Sequence, residues 1–252
     1  MEYSSNCPMC EKRIGRPDRK RHFYYNSEKQ VGFCHRCGYR HKGKIVLDET
    51  APIRSEWKEK LKNPEELYDL LTTGRNSIRV AAAAGYLSSH HISPYKAGWT
   101  YRVMLDGMYM VFPVYRGEEM IFWQKRALFE KRFINQPLVP KPLFWTNEVQ
   151  TGPTVVVESW TNAVRVAPFA RTVAIFGKYL DEDRARIIAQ SGQKVLVLLD
   201  YGEYHNALKI ERQLRRLGLN DVYAHQMPSE KDLCEISDSQ VRDILDEGRK
   251  WL

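Results

Sequence analysis

The chain contains 252 residues, of which 43% are hydrophobic and 28% are charged, and its formal net charge is +8 with a pI of about 9.2. This length allows one large domain or two to three small ones. No apolar stretch approaches the ~20 residues that span a bilayer, and the opening sequence MEYSSNCPMC lacks the basic and apolar parts of a secretory signal. We therefore expect a globular cytoplasmic protein without a membrane partner, and its positive charge suits a polyanion.

Four of the five cysteines form two CxxC pairs, Cys7 with Cys10 and Cys34 with Cys37. Zinc takes four soft ligands in a tetrahedron, and each CxxC turn can supply two thiolates. The spacing predicts one structural zinc ion in a small β-ribbon over residues 1–44, with His22, His35 and His41 outside the metal's ligands. Cys234 stands alone and is expected to be a small, half-buried side chain rather than a nucleophile.

A zinc ribbon can hold a fold, contact a partner protein or bind nucleic acid, and the cysteines do not distinguish these roles. The segment between the pairs favours single-stranded nucleic acid, because bases stack on aromatic rings and phosphates contact cations. The residues expected on this surface are Arg13, Arg16, Arg19, Lys20, Arg21, Phe23 and Tyr24.

The stretch after the ribbon changes character twice. Residues 45–60 mix apolar and charged side chains and are predicted to be a linker. Residues 57–100 carry apolar residues at roughly helical spacing, as in WKEKLKNPEELYDLLTTG. From residue 101 to residue 135, the aromatic and β-branched segments MYMVFPVY, EMIFWQKRAL and KRFINQ predict an antiparallel meander. The proline-rich QPLVPKPLFW should follow as an extended connection.

The C-terminal part of the chain alternates between short apolar strands and amphipathic helices. Strands are predicted in TVVVES, RTVAIFG, KVLVLLD and DVYAHQM, and a helix follows each. Such alternation is typical of a mostly parallel sheet covered on both faces. The predicted fold class is a multidomain α+β and α/β protein: an N-terminal zinc β-ribbon, a mixed α+β subdomain, and an α/β domain with a mostly parallel sheet.

Three acidic residues follow successive strands of the predicted parallel sheet. Glu158 closes TVVVE, Asp200 closes KVLVLLD, and Asp232 follows DVYAHQM. Ligand groups gather at the carboxyl ends of strands in an open α/β sheet, and carboxylates bind magnesium or manganese. One such acid could be an ordinary loop residue, but three predict a metal site. Lys178, in FGKYL, could reach a phosphate or simply be exposed.

These motifs resemble the TOPRIM domain shared by bacterial-type primases, topoisomerases and related nucleases. VVVESWTNAVRV is similar to its strand–Glu–turn–helix motif at Glu158, LLDYGE to its Asp-x-Asp motif at Asp200, and KDLCE to its third acidic motif at Asp232. The segment MYMVFPVYRGEEMIFWQKRAL, followed by KRFINQ, resembles the N-terminal half of the primase RNA-polymerase domain. With the ribbon in front, the order resembles bacterial and phage-type DNA primases over nearly the whole chain.

The resemblance implies a DNA primase that synthesises short RNA primers on single-stranded DNA from ribonucleoside triphosphates, in a bacterial or phage-infected cytosol. It implies a zinc ribbon at 1–44, a linker at 45–60, the N-terminal subdomain of the RNA-polymerase domain at 61–150 and TOPRIM with a C-terminal helix at 151–252. Because no GxxxxGK[ST] sequence occurs, we expect any helicase to be a separate partner.

The resemblance also implies residue roles. Template or nucleotide phosphates would be held by a basic set that comprises Lys125, Arg126, Lys131 and Arg132, with Asn135 and Lys178 in the same nucleotide-binding region. The catalytic metal, Mg²⁺ or Mn²⁺, would be bound by Glu158, Asp200 and Asp232.

Several positions depart from the family pattern. Ser159 replaces a glycine, Asn162 replaces a frequent acid, Gly202 replaces the second aspartate of Asp-x-Asp, and His205 stands near a family glycine. Glu203 is the nearby carboxylate that could substitute at the catalytic site, because it could reach back from a helix start where the positive helix end favours an anion.

These departures leave an alternative open. The chain could be a catalytically weakened, primase-derived protein that binds single-stranded DNA or a replication partner. A TOPRIM nuclease ranks last, because it would not account for residues 101–145.

Overall fold

The structure is a computed structural model, and it describes residues 2–16, 18, 22–26, 28–43, 61–75, 77–137, 139–146, 148–149, 152–191, 194–228 and 230–251. The linker predicted at 45–60 lies outside these residues. The chain divides into two compact units, Met1–Glu56 and Trp57–Leu252, and each has its own core. In the part of the chain that the structure covers, no helix is both long and apolar enough to cross a membrane.

The N-terminal unit is a small antiparallel sheet with one short helix, α1 (Cys10–Ile14). Its strands run in the order β1-β2-β3-β4, which are Glu2–Ser5, Phe23–Asn26, Val31–Cys34 and Arg40–Lys42. Alternation along β2 directs Phe23 and Tyr25 into the core and Tyr24 outward, because successive strand residues face opposite sides. Phe23 is only 1% exposed, so its predicted place on the nucleic-acid surface is wrong.

The second unit begins with a short strand, β5 (Pro64–Glu66), which the helical prediction for residues 57–100 did not include. Three helices follow it, as the spacing of apolar residues predicts. The helices are α2 (Leu67–Thr72), α3 (Ile78–Ser89) and α4 (Pro94–Tyr101). Serine side chains start the last two: Ser77 accepts a hydrogen bond from the Val80 amide, and Ser93 accepts one from the Lys96 amide.

The predicted meander is confirmed as a five-stranded antiparallel sheet in the order β5-β6-β7-β8-β9. Its further strands are β6 (Met104–Asp106), β7 (Tyr109–Arg116), β8 (Glu119–Ala127) and β9 (Phe133–Asn135). The long β7–β8 hairpin turns at Gly117, which has a φ of 59°.

The C-terminal sheet has the order β10-β12-β11-β13-β14, and its three parallel pairs confirm the predicted fold class. Its strands are β10 (Phe144–Thr146), β11 (Thr154–Val157), β12 (Arg171–Ala174), β13 (Val195–Val197) and β14 (Val222–Ala224). The helices are α5 (Trp160–Val166), α6 (Glu182–Gln190), α7 (Tyr204–Arg216) and α8 (Asp238–Arg249). β10 pairs antiparallel with β12 and was not expected, because it has only three residues and begins within the proline-rich connection.

Helix α5 joins the two sheets of the second unit. Its first residue, Trp160, is fully buried and stacks on Phe112 of β7, with ring centroids 4.5 Å apart. A single core cluster contains apolar residues of both sheets. Because Glu158 immediately precedes α5, this packing fixes the acid's position relative to the antiparallel sheet.

The contact of α4 with α2 gives a stability prediction. A Cβ added to Gly98 would lie 2.7 Å from the Tyr68 amide nitrogen, whereas one added to the helical Gly85 would meet nothing within 4 Å. We expect Gly98→Ala to lower the free energy of unfolding by about 1–3 kcal/mol through overpacking. The matched variant Gly85→Ala should raise it by up to about 1 kcal/mol, since alanine favours helix. Urea denaturation measures both, and equal effects would contradict the packing.

Candidate metal and nucleotide site

The four paired cysteines form one cluster in the N-terminal unit. Their sulfur atoms all lie within 4.8 Å of one another; Cys7 Sγ is 3.6 Å from Cys37 Sγ, and Cys10 Sγ is 3.7 Å from Cys34 Sγ. Zn–S bonds of ~2.3 Å in a tetrahedron separate sulfurs by about 3.8 Å. The cluster is therefore positioned to bind one zinc ion, and it makes up most of a small core.

The histidines of the ribbon have other partners. His22 Nδ1 lies 2.8 Å from Asp18 Oδ1, and His41 Nδ1 lies 3.2 Å from the Tyr39 hydroxyl. His35 packs edge-on against Tyr24 and Phe33. The sulfur cluster includes none of the three, as expected.

The second unit carries the predicted acids at neighbouring strand ends. Glu158 follows β11, Asp200 follows β13, and Asp232 follows β14, in the order in which these strands adjoin in the sheet. Asp232 begins a short 3-10 turn at residues 233–235 and accepts a hydrogen bond from the Cys234 amide. The topology thus brings the three acids to the same edge of the sheet.

The acids influence one another electrostatically. Burial, together with the nearby Asp232 and Glu158 carboxylates, raises the pKa of Asp200 to about 7, and burial is the largest cause. Burial also raises the pKa of Glu158, with Glu203 and Asp232 adding repulsion. The pKa of Asp232 is raised, mainly by burial. Carboxylates that destabilise one another in this way favour a cation between them.

The donor set fits magnesium or manganese rather than zinc. Hard divalent cations prefer carboxylate oxygens, and magnesium keeps several waters while binding one or two carboxylates and substrate phosphates. Within the described ranges, only the cysteines form a set of three or more candidate metal ligands whose atoms lie within 4.8 Å of one another. The oxygens of Glu158, Asp200 and Asp232 do not all approach one another this closely, so water would bridge at least one of these acids to a cation held there.

The residues after Asp200 account for the altered Asp-x-Asp motif. Gly202 has a φ of +83°, a backbone conformation that favours glycine. Glu203 accepts hydrogen bonds from Lys178 Nζ, at 3.0 Å, and from Asn206 Nδ2. The hydrogen bond from Lys178 lowers the pKa of Glu203, and the one from Asn206 adds to this effect. Glu203 lies near the acids, and each of its carboxylate oxygens already accepts one hydrogen bond.

Asn162 connects Asp200 to the isolated cysteine. Its Nδ2 donates a hydrogen bond to Asp200 Oδ1 at 2.8 Å, and its Oδ1 accepts one from the Cys234 thiol at 3.3 Å. Asn162 and Cys234 are both fully buried, so Cys234 is more buried than expected. Burial also raises the pKa of the Cys234 thiol well above its usual value, which favours the S–H donor.

Lys125 is not placed like a phosphate ligand. It is 8% exposed, and its Nζ lies 2.7 Å from Asp106 Oδ2 and 4.6 Å from the centre of the Trp123 ring. Asp106 also accepts hydrogen bonds from the amides of Lys62 and Asn63. The structure therefore engages Lys125 in a buried ion pair within the antiparallel sheet.

Arg126, the next residue, stacks on an aromatic ring rather than entering an ion pair with another described residue. Its Cζ lies 3.8 Å from the centre of the Tyr86 ring, and its Nη1 donates to the Ala127 carbonyl. Burial raises the pKa of Tyr86 to about 12; Arg126 opposes that rise, and Cys234 and Asp232 add to it. The His90 ring lies 4.0 Å from that of Tyr86. Arg126 and Asp232 thus share Tyr86 as a neighbour.

The remaining residues predicted to bind template or nucleotide are more exposed than Lys125. Arg132 lies 3.6 Å from Glu130, with both side chains 59% exposed, and Lys131 is also exposed. Asn135 is half-buried and accepts a hydrogen bond from Gln124. Lys178 is half-buried and pairs with Glu203.

Sequence reasoning missed Lys141, Tyr86 and His90. Lys141 Nζ donates to the Phe176 carbonyl at 2.6 Å and interacts electrostatically with Glu158. Its position between Pro140 and Pro142 was a signal, because two prolines restrict the backbone around a charged residue. Tyr86 lies in α3 and His90 caps the end of that helix; neither belongs to a motif, so only the packing reveals them.

Comparison with solved structures finds a match along the full length, including the region of the cysteine cluster. The structure resembles that of the primase fragment of the bacteriophage T7 primase-helicase protein, with a TM-score of 0.47, 16% sequence identity and 98% coverage of both chains. Neither a protein-family model nor a curated protein matches the sequence.

The cysteine cluster predicts a metal content. We expect about one zinc ion per chain by elemental analysis, and we expect Cys34→Ser to lose it, together with amide protection in β2 and β3, because metal binding stabilises so small a core. Cys234→Ser is the matched control and should retain zinc, since Cys234 lies outside the cluster. Unchanged hydrogen exchange in β2 after chelation would contradict this role.

The raised pKa of Asp200 predicts a pH dependence of stability. The folded state holds a proton on Asp200 up to about pH 7, whereas the unfolded chain releases it near the ordinary aspartate pKa of 3.8, so stability should fall as pH rises between these values. Asp200→Asn should reduce this fall and stabilise the metal-free protein at pH 8 by on the order of 1–3 kcal/mol. Thermal unfolding in EDTA measures this.

The exposed Glu118, whose side chain is 98% accessible, supplies the control variant Glu118→Gln, which should leave the pH profile unchanged. A profile for Asp200→Asn that is identical to the unsubstituted profile would show that Asp200 is not the responsible group.

Proposed function

We propose that the protein is a DNA primase, a nucleotidyltransferase that synthesises short RNA primers on single-stranded DNA with magnesium or manganese in bacterial or phage DNA replication. The observation that carries this proposal is the set of mutually repelling acids, Glu158, Asp200 and Asp232, at three adjoining strand ends. The motif resemblance of the sequence supports the same conclusion. We keep the division into residues 1–44, 45–60, 61–150 and 151–252 as part of the proposal.

The proposed reaction joins a 3′-hydroxyl to the α-phosphate of a ribonucleoside triphosphate and releases pyrophosphate. Glu158, Asp200 and Asp232 would hold the divalent cation, which neutralises phosphate charge and assists the attacking hydroxyl when bound. The protein's contribution is to place these groups and to keep them fixed.

Arg126 is the basic residue that the geometry favours most as a phosphate ligand. Stacking on Tyr86 and the hydrogen bond to the Ala127 carbonyl restrict its guanidinium plane, and Tyr86 also interacts electrostatically with Asp232. A guanidinium held in this way can present parallel N–H donors to phosphate oxygens. Lys131, Arg132 and Asn135 remain proposed ligands of the template or nucleotide.

Lys178 is a second proposed phosphate contact. Glu203 holds its Nζ at 3.0 Å, so Glu203 would serve the site by orienting this cation. Lys125, by contrast, would support the site by holding the antiparallel sheet together through Asp106.

The ribbon presents a surface that suits single-stranded DNA. Tyr24 and Phe33 are exposed, are paired across β2 and β3, and flank His35. Arg40 lies with its Cζ 5.9 Å from the Phe33 ring centre. Aromatic rings beside cations bind bases and phosphates together, so we propose that this surface contacts the template. A separate helicase remains a proposed partner.

A second candidate function is template binding with little or no synthesis. It is favoured by the hydrogen bonds that already occupy Glu203 and by the absence of a side chain at Gly202. Both features leave fewer carboxylate oxygens near Asp200.

Primer synthesis distinguishes the two candidates. With diverse single-stranded templates, labelled ribonucleotides and Mg²⁺ or Mn²⁺, we expect short oligoribonucleotides, which Asp200→Ala should abolish. Glu203→Ala should lower the rate by about tenfold without abolishing it, because its carboxylate acts through Lys178.

The absence of products on all templates, with or without a replicative helicase, would favour the binding protein. Degradation of the DNA template instead would support the nuclease.

A further inference from the structure

The side chain of Asn162 is held at both ends by groups with opposite hydrogen-bonding roles. The Cys234 thiol donates to its oxygen, and Asp200 accepts from its nitrogen, which fixes the amide's orientation. The backbone N–H of Asn162 also donates a hydrogen bond to the Ser159 hydroxyl at the start of α5. A fully buried amide with these contacts cannot rotate without losing a hydrogen bond to a charged or buried group.

We propose that Asn162 is a positioning residue for Asp200, which it holds in the orientation that binds a divalent cation. This inference rests on the proposed metal site and deepens it. Asn162 donates to Asp200 Oδ1 at 2.8 Å, and this contact sets the direction in which the remaining lone pairs of the carboxylate face a cation.

The acids of the cluster differ in the groups that stabilise their ionised forms. Lys178 and Lys141 both interact with Glu158, and they supply positive charge on the side of the cluster near Glu158. For Asp200 the neutral Asn162 side chain has this role. Asp232, in contrast, has Cys234 and Leu233 amides and the His90 ring as its favourable neighbours.

The role of Asn162 differs from that of an ordinary buried polar residue. Thr172 of β12 provides the comparison. It is fully buried, and its hydroxyl donates a hydrogen bond at 2.8 Å to the carbonyl of Ala163, which lies in α5 like Asn162. Removing either polar group should lower stability, but only Asn162 contacts an acid of the cluster. Cation affinity therefore separates a positioning role from a structural one.

The experiment is a Mn²⁺ titration of the zinc-loaded full chain at pH 7.5, with free Mn²⁺ followed by electron paramagnetic resonance. The unsubstituted protein should bind one Mn²⁺, and Asp200→Ala should abolish that binding. Asn162→Ala should weaken it by about 10- to 100-fold, the usual cost of removing a residue that orients a metal ligand.

The control Thr172→Val should lower the melting temperature while leaving Mn²⁺ affinity within about twofold, since it does not touch a metal ligand. Cys234→Ala should cause a smaller loss of affinity than Asn162→Ala, because the amide keeps its donor but loses its fixed orientation.

Equal Mn²⁺ affinity in Asn162→Ala and in the unsubstituted chain would overturn the inference while leaving the metal site intact. Binding that Asp200→Ala does not change would overturn both the inference and the proposed function. The expected Mn²⁺ pattern without primer synthesis would uphold the inference and refute only the polymerase activity.

Discussion

The repulsion among Glu158, Asp200 and Asp232 is the constraint on which the second unit depends. Three parallel strands end at one edge, and each delivers a carboxylate into a partly buried region. Such an arrangement costs stability unless opposite charge or hydrogen-bond donors compensate. The surrounding residues supply both, which is the pattern expected of a site that holds a cation and phosphates rather than of a region selected only for stability.

The groups that offset the repulsion among the acids come from several elements of the second unit. Asn162 comes from α5, Lys178 from the loop after β12, and Lys141 from the proline-rich connection. Tyr86 of α3 stacks on Arg126 of the antiparallel sheet and interacts electrostatically with Asp232, and His90 interacts with both Tyr86 and Asp232. The packing of Trp160 on Phe112 holds these two regions together. The antiparallel subdomain is therefore part of the proposed site and not only its support.

Much of this fold was predictable from the sequence, because strands and helices differ in the spacing of their apolar residues. The alternation around Glu158 and Asp200 predicted the parallel sheet, and the CxxC pairs predicted the sulfur cluster. Side-chain burial was less accessible. Lys125 and Arg126 are adjacent in sequence, and strand alternation directs one into an ion pair and the other towards Tyr86.

Contacts between distant residues were beyond sequence reasoning. The Asn162–Cys234 hydrogen bond joins residues 72 positions apart, and no local pattern marks it. The same holds for Lys178 and Glu203, which follow different strands. Gly202 is an intermediate case, because its loss of a carboxylate was visible in the sequence while its positive φ was not.

The most direct test of the central claim is the location of a bound cation. Crystals of the protein soaked in Mn²⁺ should show an anomalous-scattering peak among the carboxylates of Glu158, Asp200 and Asp232, in contact with Asp200. The absence of any peak at these carboxylates, in crystals whose cysteine cluster shows zinc, would contradict the account.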